Sequence, residues 1–479
     1  MKTLKLQLAA ITIFLLFSFS QRVNAQTGYY SPSLVNFDVA MNNLLKDYDI
    51  PGGQLAITYK GRLVYSRGFG LADKSTNIAV CPDNIFRIAS LSKQITSITI
   101  MHLYEQGRIG LDDIVFGKNG ILNDSMYLVP VLDSRIYDIT VNDLLSHQSG
   151  IPTYSFNARF QDLDFTPGTN GLYSNVGYVF LGRVIEKITK QDYETYVRDT
   201  ILAPIGITDM RIGKTLLINK LPNEVHYYDY PGAPLVPSIF DSTILVPRQY
   251  GGDFSIESSK ACGGWVASAQ DLCKLLCAVD KFSTRPDILS TATINTMVQP
   301  VHSYLGFPYA LGWIINTTSN NWFHDGALIG TMSYQVRRNT EINYALVVNS
   351  NYSSGQFTAL TSLVSSIIPL ITSWPAIDIF DSTYICSPTT SVHNISQNPS
   401  LLTVYPNPSN GKFTVTVEGL QEANCTLEIC NYLGQEIYTS MFKAQQSILD
   451  IDLSDFPKGM YFVKVNNGTN VNTHKILIE

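Results

Sequence analysis

Strand-forming runs stand at both ends of one long segment of this chain, and helical periodicity fills its middle. Gln54–Tyr59 and Arg62–Phe69 are β-rich runs around Lys60-Gly61, a hairpin signal. The pattern returns to strands from Tyr309, over Ala310–Ile315, Thr331–Arg338 and Tyr344–Val348, and an apolar helix is expected over Phe357–Ile371. Between them, Leu91–Gln106 reads as a helix ended by Gly107. Val176–Ile188 and Asp192–Ile201 are further helices, and Ser268 opens another as part of a capping box, running through Val279. The two ends of the segment should therefore close one antiparallel sheet, flanked by helices. The middle should form a separate helical lobe, with a groove between the two.

The rest of the chain narrows the setting. With 45% hydrophobic and 15% charged residues among 479, the chain can bury a sizeable core and exceeds one ordinary domain. A net charge of −6 without a basic run excludes a nucleic-acid surface. Lys2 and Lys5, the apolar run Leu6–Phe19 and Val23-Asn24-Ala25 form an export signal over residues 1–25. That apolar run is shorter than the ~18 residues a membrane span needs, and no later segment is long and apolar enough. The mature chain is expected to start near Gln26 and to work outside the cytoplasm.

Seven cysteines are too few for a disulfide scaffold, and an odd number leaves at least one unpaired. Cys273 and Cys277 share a helix face, where buried thiols are expected rather than a bridge. No spacing of His, Cys, Asp or Glu suggests a metal site, and no cofactor is expected. After Trp374 the composition shifts to Ser, Thr, Asn and Pro, so residues 376–400 read as a linker between a domain at 26–375 and a tail at 401–479. In the tail, Phe413–Val417, Thr426–Ile429, Glu436–Thr439, Tyr461–Val465 and Lys475–Ile478 read as strands separated by turns such as Asn410-Gly411 and Lys458-Gly459. That pattern suggests a small all-β sandwich.

Three short motifs carry chemistry. Ser90-Leu91-Ser92-Lys93 places a Ser where a strand turns into a helix, with a Lys one turn on along the same face. A nearby amine can accept the hydroxyl proton, and free backbone N–H groups can hold an oxyanion. Ser92 should point away from that centre. Tyr173-Ser174-Asn175 adds a phenol that can exchange protons and an amide that can orient the Lys. His324-Asp325-Gly326, just before a predicted strand, adds an imidazole and a Gly that permits close backbone approach. Alone, each motif has an ordinary structural reading: an N-cap, a buried aromatic, a surface turn. S-x-x-K also recurs at Ser409–Lys412 and Ser440–Lys443. Together, 83 and 151 residues apart, the three fall where the groove is expected.

In that order, the motifs resemble the penicillin-recognising serine hydrolases, in the branch related to class C β-lactamases. Asp143-Leu144-Leu145-Ser146-His147-Gln148-Ser149-Gly150-Ile151-Pro152, Pro167-Gly168 and Gly263-Gly264 extend the likeness to about residues 34–371. The resemblance implies a two-lobe serine β-lactamase-like α/β fold. It also implies Ser90 as acylated nucleophile, Lys93 as its proton partner and Tyr173 as general base and then acid. Asn175 would orient Lys93 or the substrate, and the amides of Ser90 and Ala327 would hold the oxyanion. His324 stands where many relatives carry a Lys, and Gly326 keeps the strand open; His147 is expected to be structural. With His in place of that cation, esterase or D-amino-acid peptidase chemistry is expected ahead of β-lactam hydrolysis. The alternative is a penicillin-binding-type protein acylated without efficient turnover.

The tail is a second resemblance. Val404-Tyr405-Pro406-Asn407-Pro408-Ser409-Asn410-Gly411-Lys412-Phe413, Tyr432-Leu433-Gly434-Gln435 and Pro457-Lys458-Gly459-Met460-Tyr461 are similar to the type A sorting domain of the type IX secretion route in Bacteroidetes. It implies the type IX machinery as partner, and a protein that is secreted or held at the outer-membrane surface. The expected substrate is a small molecule or peptide.

Overall fold

A computed structural model describes residues 26–124, 133–152, 162–304, 306–351, 353–381, 402–417, 424–431, 436–443, 448–466 and 471–479. The expected export signal at 1–25, most of the expected linker (382–400) and Tyr432-Leu433-Gly434-Gln435 lie outside these residues. The chain divides into two compact units, Met1–Thr390 and Ser391–Glu479.

The first unit is built on one antiparallel sheet. Its main strands are β1 (Gln26–Gly28), β2 (Gly52–Tyr59), β3 (Arg62–Asp73), β4 (His302–Tyr304), β5 (Phe307–Tyr309), β6 (Ile314–Asn316), β7 (Asn321–Leu328), β8 (Thr331–Arg338) and β9 (Ile342–Val348), and a two-residue strand, Ile78–Ala79, pairs with β3. They lie in the order β1-β3-β2-β9-β8-β7-β6-β5-β4. Ala56 of β2 faces Ala345 of β9, so the two ends of the segment meet in mid-sheet.

The period-2 alternation of these strands separates two cores. Leu55, Ile57, Tyr344 and Leu346 pack on one face, beneath α1 (Val35–Asp47) and, further along the chain, a helix at Ser354–Ile367. Ala56, Ala345 and Val347 face the other way, into a core shared with α2 (Ser92–Glu105), α3 (Asn175–Thr189) and α4 (Ala269–Cys277), of which α4 packs directly on β2 and β9. Each large aliphatic side chain buried there contributes about 1.5–3 kcal/mol. Ser174 caps α3 by accepting the Gly177 N–H, and Ser268 caps α4 by accepting that of Asp271. Cys273 and Cys277 are buried free thiols, as expected of an apolar helix face.

Three local expectations change. Ala310–Ile315 is a turn followed by a short strand, because Gly312 at φ +81° reverses the chain between β5 and β6. His324-Asp325-Gly326 lies inside a strand of its own, β7, directly before the expected strand β8; a His and a Gly at its inward positions hid the alternation. The helix expected over Asp192–Ile201 is α-helical only over Tyr193–Val197, and widens to i→i+5 turns over Arg198–Leu202.

The start of the linker segment is packed. Asp378 accepts the Leu63 N–H and pairs with Arg285 at 2.5 Å, Ile379 is buried, and Phe380 lies under the Arg285 guanidinium at 4.9 Å.

The second unit has two antiparallel sheets. One holds β10 (Leu402–Tyr405), β11 (Lys412–Val417) and β14 (Ile448–Asp452); the other holds β12 (Asn424–Asn431), β13 (Glu436–Lys443), β15 (Gly459–Asn466) and β16 (Val471–Ile478). Their inward residues, among them Val415, Leu427, Val463 and Ile476, form one buried cluster, as a sandwich requires. β10 and β14 were not expected from the sequence.

Candidate active site

Ser90 sits in a tight turn, Ala89–Leu91, that runs directly into α2. Ala89 is held at φ +48°, a conformation that a residue with a Cβ adopts only when its surroundings impose it. Those surroundings are specific. The hydroxyls of Thr331 and Ser333 on β8 donate to the carbonyls of Arg87 and Ile88, each at 2.7 Å. Phe86 and Arg87 pair with Val266 and Ala267, which ties the turn to the chain around Cys262. The Arg87 guanidinium is buried, donates to the carbonyls of Gln249 and Lys214, and lies 4.3 Å from the centre of the Tyr227 ring.

β7 passes close to the nucleophile. A Cβ on Gly326 would lie 2.3 Å from the Ile88 carbonyl oxygen and 3.0 Å from the Ser90 amide nitrogen, so only glycine fits there. Ala327 follows it, exposed, on the same strand. Because residues alternate along β7, His324 and Gly326 share the face toward α2, whereas Asp325 points to the other.

Lys93 is the hub. Its side chain is wholly buried, and Nζ donates to Ser90 Oγ at 3.1 Å, Asn175 Oδ1 at 2.7 Å and the Cys262 carbonyl at 2.8 Å. These three acceptors come from the nucleophile turn, the start of α3 and the loop before Gly263. The Tyr173 ring centre is 4.7 Å from Nζ. Burial pushes the Lys93 ammonium down to about 8, partly offset by the negative potential of Cys262 and Asp325. When neutral, the amine keeps two N–H bonds, to Asn175 and Cys262. Its lone pair is then left for the Ser90 proton.

Ser90, Lys93, Tyr173 and Asn175 are thus brought together, with Gly326 against the Ser90 turn. His324 is buried, its Nε2 lies 3.2 Å from the Tyr309 hydroxyl, and its Nδ1 lies 2.6 Å from the Asp325 carbonyl. Both ring nitrogens are engaged within the protein, and burial lowers its proton affinity. Ser92 is buried and accepts the Trp265 N–H, away from the reacting centre. Sequence reasoning missed the Cys262 carbonyl, Tyr309, Thr331 and Ser333. A backbone acceptor has no side-chain signature, although the Gly263-Gly264 pair marks its place. His147, expected to be structural, packs its ring 4.3 Å from that of Tyr173. Among the described residues no cluster of His, Cys, Asp or Glu could hold a metal ion, and no helix is long and apolar enough to cross a membrane.

Both units resemble known proteins. Residues 37–364 match the beta-lactamase family, and residues 403–479 match the secretion system C-terminal sorting domain. Protein flp of Staphylococcus aureus is 26% identical over 339 residues, which is 66% of this chain and 63% of flp, so the match leaves over a third of flp uncovered. Penicillin-binding protein 4 of Amycolatopsis lactamdurans is also 26% identical, over 66% of this chain and 85% of its own length. Among solved structures, the D-amino acid amidase of Ochrobactrum anthropi SV3 superposes with a TM-score of 0.55 at 22% identity. That match covers 70% of this chain and 99% of the amidase, a likeness of fold.

Proposed function

Because this chain belongs to the beta-lactamase family, we propose that it is a serine hydrolase that cleaves an ester or amide through an acyl-enzyme on Ser90. One observation carries the reading. A buried lysine with a proton affinity lowered to about 8 is held by Asn175 and the Cys262 carbonyl with its remaining bond directed at the Ser90 oxygen.

In this mechanism Ser90 Oγ attacks the substrate carbonyl carbon, and its proton passes to neutral Lys93. Tyr173, beside Lys93, then carries a proton to the leaving alcohol or amine as the acyl bond to it breaks. Water attacks the acyl-enzyme, its proton returns through the same pair, and the acid leaves. A positioned general base of this kind supplies about 10²–10⁴-fold. The amides of Ser90 and Ala327 are assigned to the oxyanion, each worth about 3–4 kcal/mol of barrier. The close passage of β7 by the Ser90 amide supports that assignment.

His324 offers no free donor and no settled positive charge to a substrate carboxylate. Carboxylesters and D-amino-acid amides are therefore favoured over β-lactams. The C-terminal unit is read as the address that directs the protein through type IX secretion to the outer-membrane surface or the medium.

Labelling with a fluorophosphonate probe, followed by peptide mapping, tests the proposal. The expected result is one adduct on Ser90, lost in Ser90→Ala, together with steady turnover of p-nitrophenyl esters or D-amino-acid amides. No labelling at Ser90 overturns it. A burst without turnover on both substrate classes points instead to a penicillin-binding-type protein.

A further inference from the structure

The face of the sheet turned away from Ser90 carries a groove that the mechanism does not use. The Ser354–Ile367 helix packs on β8, and between its flank and β5–β9 lies a cavity of about 350 Å³. A row of aromatic rings crosses it from strand to strand. Phe307 on β5 meets Phe323 on β7 edge to face, with ring centres 5.5 Å apart. Phe323 meets Tyr334 on β8 at 6.0 Å, and Tyr334 meets Tyr344 on β9 at 6.3 Å. Phe357 closes the side from the helix. Phe307 and Phe357 are 44% and 37% exposed, so part of this apolar lining is left to solvent. An apolar ligand laid on it would gain by covering it.

One end of the groove offers donors without acceptors. Asn316 and Asn321 are paired across β6 and β7, and the pairing of Trp322 with Arg337 puts Asn321 beside Arg338 on β8. Asn316 Oδ1 accepts the N–H groups of Thr318 and Ser319 at 3.1 and 3.0 Å, and Asn321 Oδ1 accepts that of Asn339 at 2.9 Å. With both oxygens used, each side chain has its NH₂ to offer. Among the described residues neither NH₂ group has an acceptor, and the Arg338 guanidinium has none either; its Nε is shut off from solvent as well as unpaired. The neighbouring Arg337, on the other face, spends its donors on the carbonyls of Asp280 and Asn320. Asp325 stands at the opposite end of the groove. It pairs with Tyr334, four residues along β8 from Arg338, which is about 13 Å by strand rise.

We propose that this groove is a second binding site, for a small apolar carboxylate such as an aromatic or branched aliphatic acid. Arg338, Asn316 and Asn321 hold the anion, and the body of the ligand lies along the row of rings. Charge sets its direction, because the carboxylate goes to the three donors and away from Asp325. A guanidinium flanked by two amides can bond both carboxylate oxygens, and hydrogen bonds to an ionised group are the strong ones. The cavity falls at the small end of the range that holds small-molecule ligands, about 300–1,000 Å³. Phe323 and Asp325 alternate along β7 with His324 and Gly326, so the thickness of the sheet separates this site from the reacting centre. The site stands whether or not Ser90 is acylated.

The test is isothermal titration calorimetry on the full mature chain with 3-phenylpropanoate and with its uncharged match, 3-phenylpropan-1-ol. The expected result is saturable binding of the carboxylate, with the alcohol weaker by roughly 10–10²-fold, the share of hydrogen bonds to a charged group. Arg338→Gln should bring the carboxylate down to the affinity of the alcohol and leave the alcohol unchanged. Ser365, exposed on the helix flank, also lines the groove, so Ser365→Trp should fill it and abolish binding of both probes. A carboxylate bound at the reacting centre instead would keep its affinity in both variants. No saturable binding of 3-phenylpropanoate, or equal affinity for the two probes, overturns the proposal. So does unchanged carboxylate affinity in folded Arg338→Gln or folded Ser365→Trp. A dimer of the unmodified chain that Ser365→Trp dissociates overturns it too, because a second copy would then cover the groove.

Discussion

Lys93 Nζ lies 2.7 Å from Asn175 Oδ1, closer than its 3.1 Å to the Ser90 hydroxyl it is proposed to deprotonate. The amide oxygen carries no full charge, so it directs the amine without holding it protonated. A carboxylate there would do both. Asn175→Asp should raise the Lys93 proton affinity, moving the rise of kcat/KM to higher pH and lowering the rate at neutrality. The pH–rate profiles of the two proteins check this.

In the unmodified enzyme the active form of Lys93 is neutral. Its folded proton affinity sits at about 8, below the ordinary lysine value, because the ammonium is buried. Activity should therefore increase as pH rises through about 8 and level off above it. Lys93→Met should lose about 10²–10⁴-fold in kcat at every pH and show no such limb. A kcat/KM profile on an ester substrate measures both.

Gly326→Ala would push a methyl group into the Ile88 carbonyl and the Ser333 hydroxyl, at 2.3 and 2.4 Å. The nucleophile turn must shift, and a displacement near 1 Å costs roughly 10²-fold in rate. Slow fluorophosphonate labelling of a folded variant is the expected outcome.

Asp378 ties the segment after the first unit's last helix to Arg285 and to the Leu63 amide. Asp378→Ala should destabilise that unit by about 1–2 kcal/mol, the cost of a partly buried charged hydrogen-bond acceptor, and leave kcat unchanged. All four tryptophans, Trp265, Trp313, Trp322 and Trp374, belong to this unit, so their fluorescence follows its unfolding separately from that of the tail.

Removal of residues 391–479 should leave hydrolysis by the purified protein intact and abolish its delivery beyond the outer membrane, as cell fractionation would show.

Much of this protein is legible in its amino-acid order, since local chemistry writes local signals. Alternating apolar residues in β2, β8 and β9, the Ser268 cap and the Ser-x-x-Lys spacing each depend on neighbours a few residues away. Together with the likeness of the three motifs to a known family, they led to the β-lactamase-like fold, and the structure brings Ser90, Lys93, Tyr173 and Asn175 together. What only the tertiary structure decided depends on groups far apart in the chain. The Cys262 carbonyl that completes the Lys93 site is such a group, and so are the β8 hydroxyls that hold the nucleophile turn. The state of His324 is another: as a residue type it titrates near neutrality. Burial, and a phenol from β5 shared with His147, give both its nitrogens to the protein.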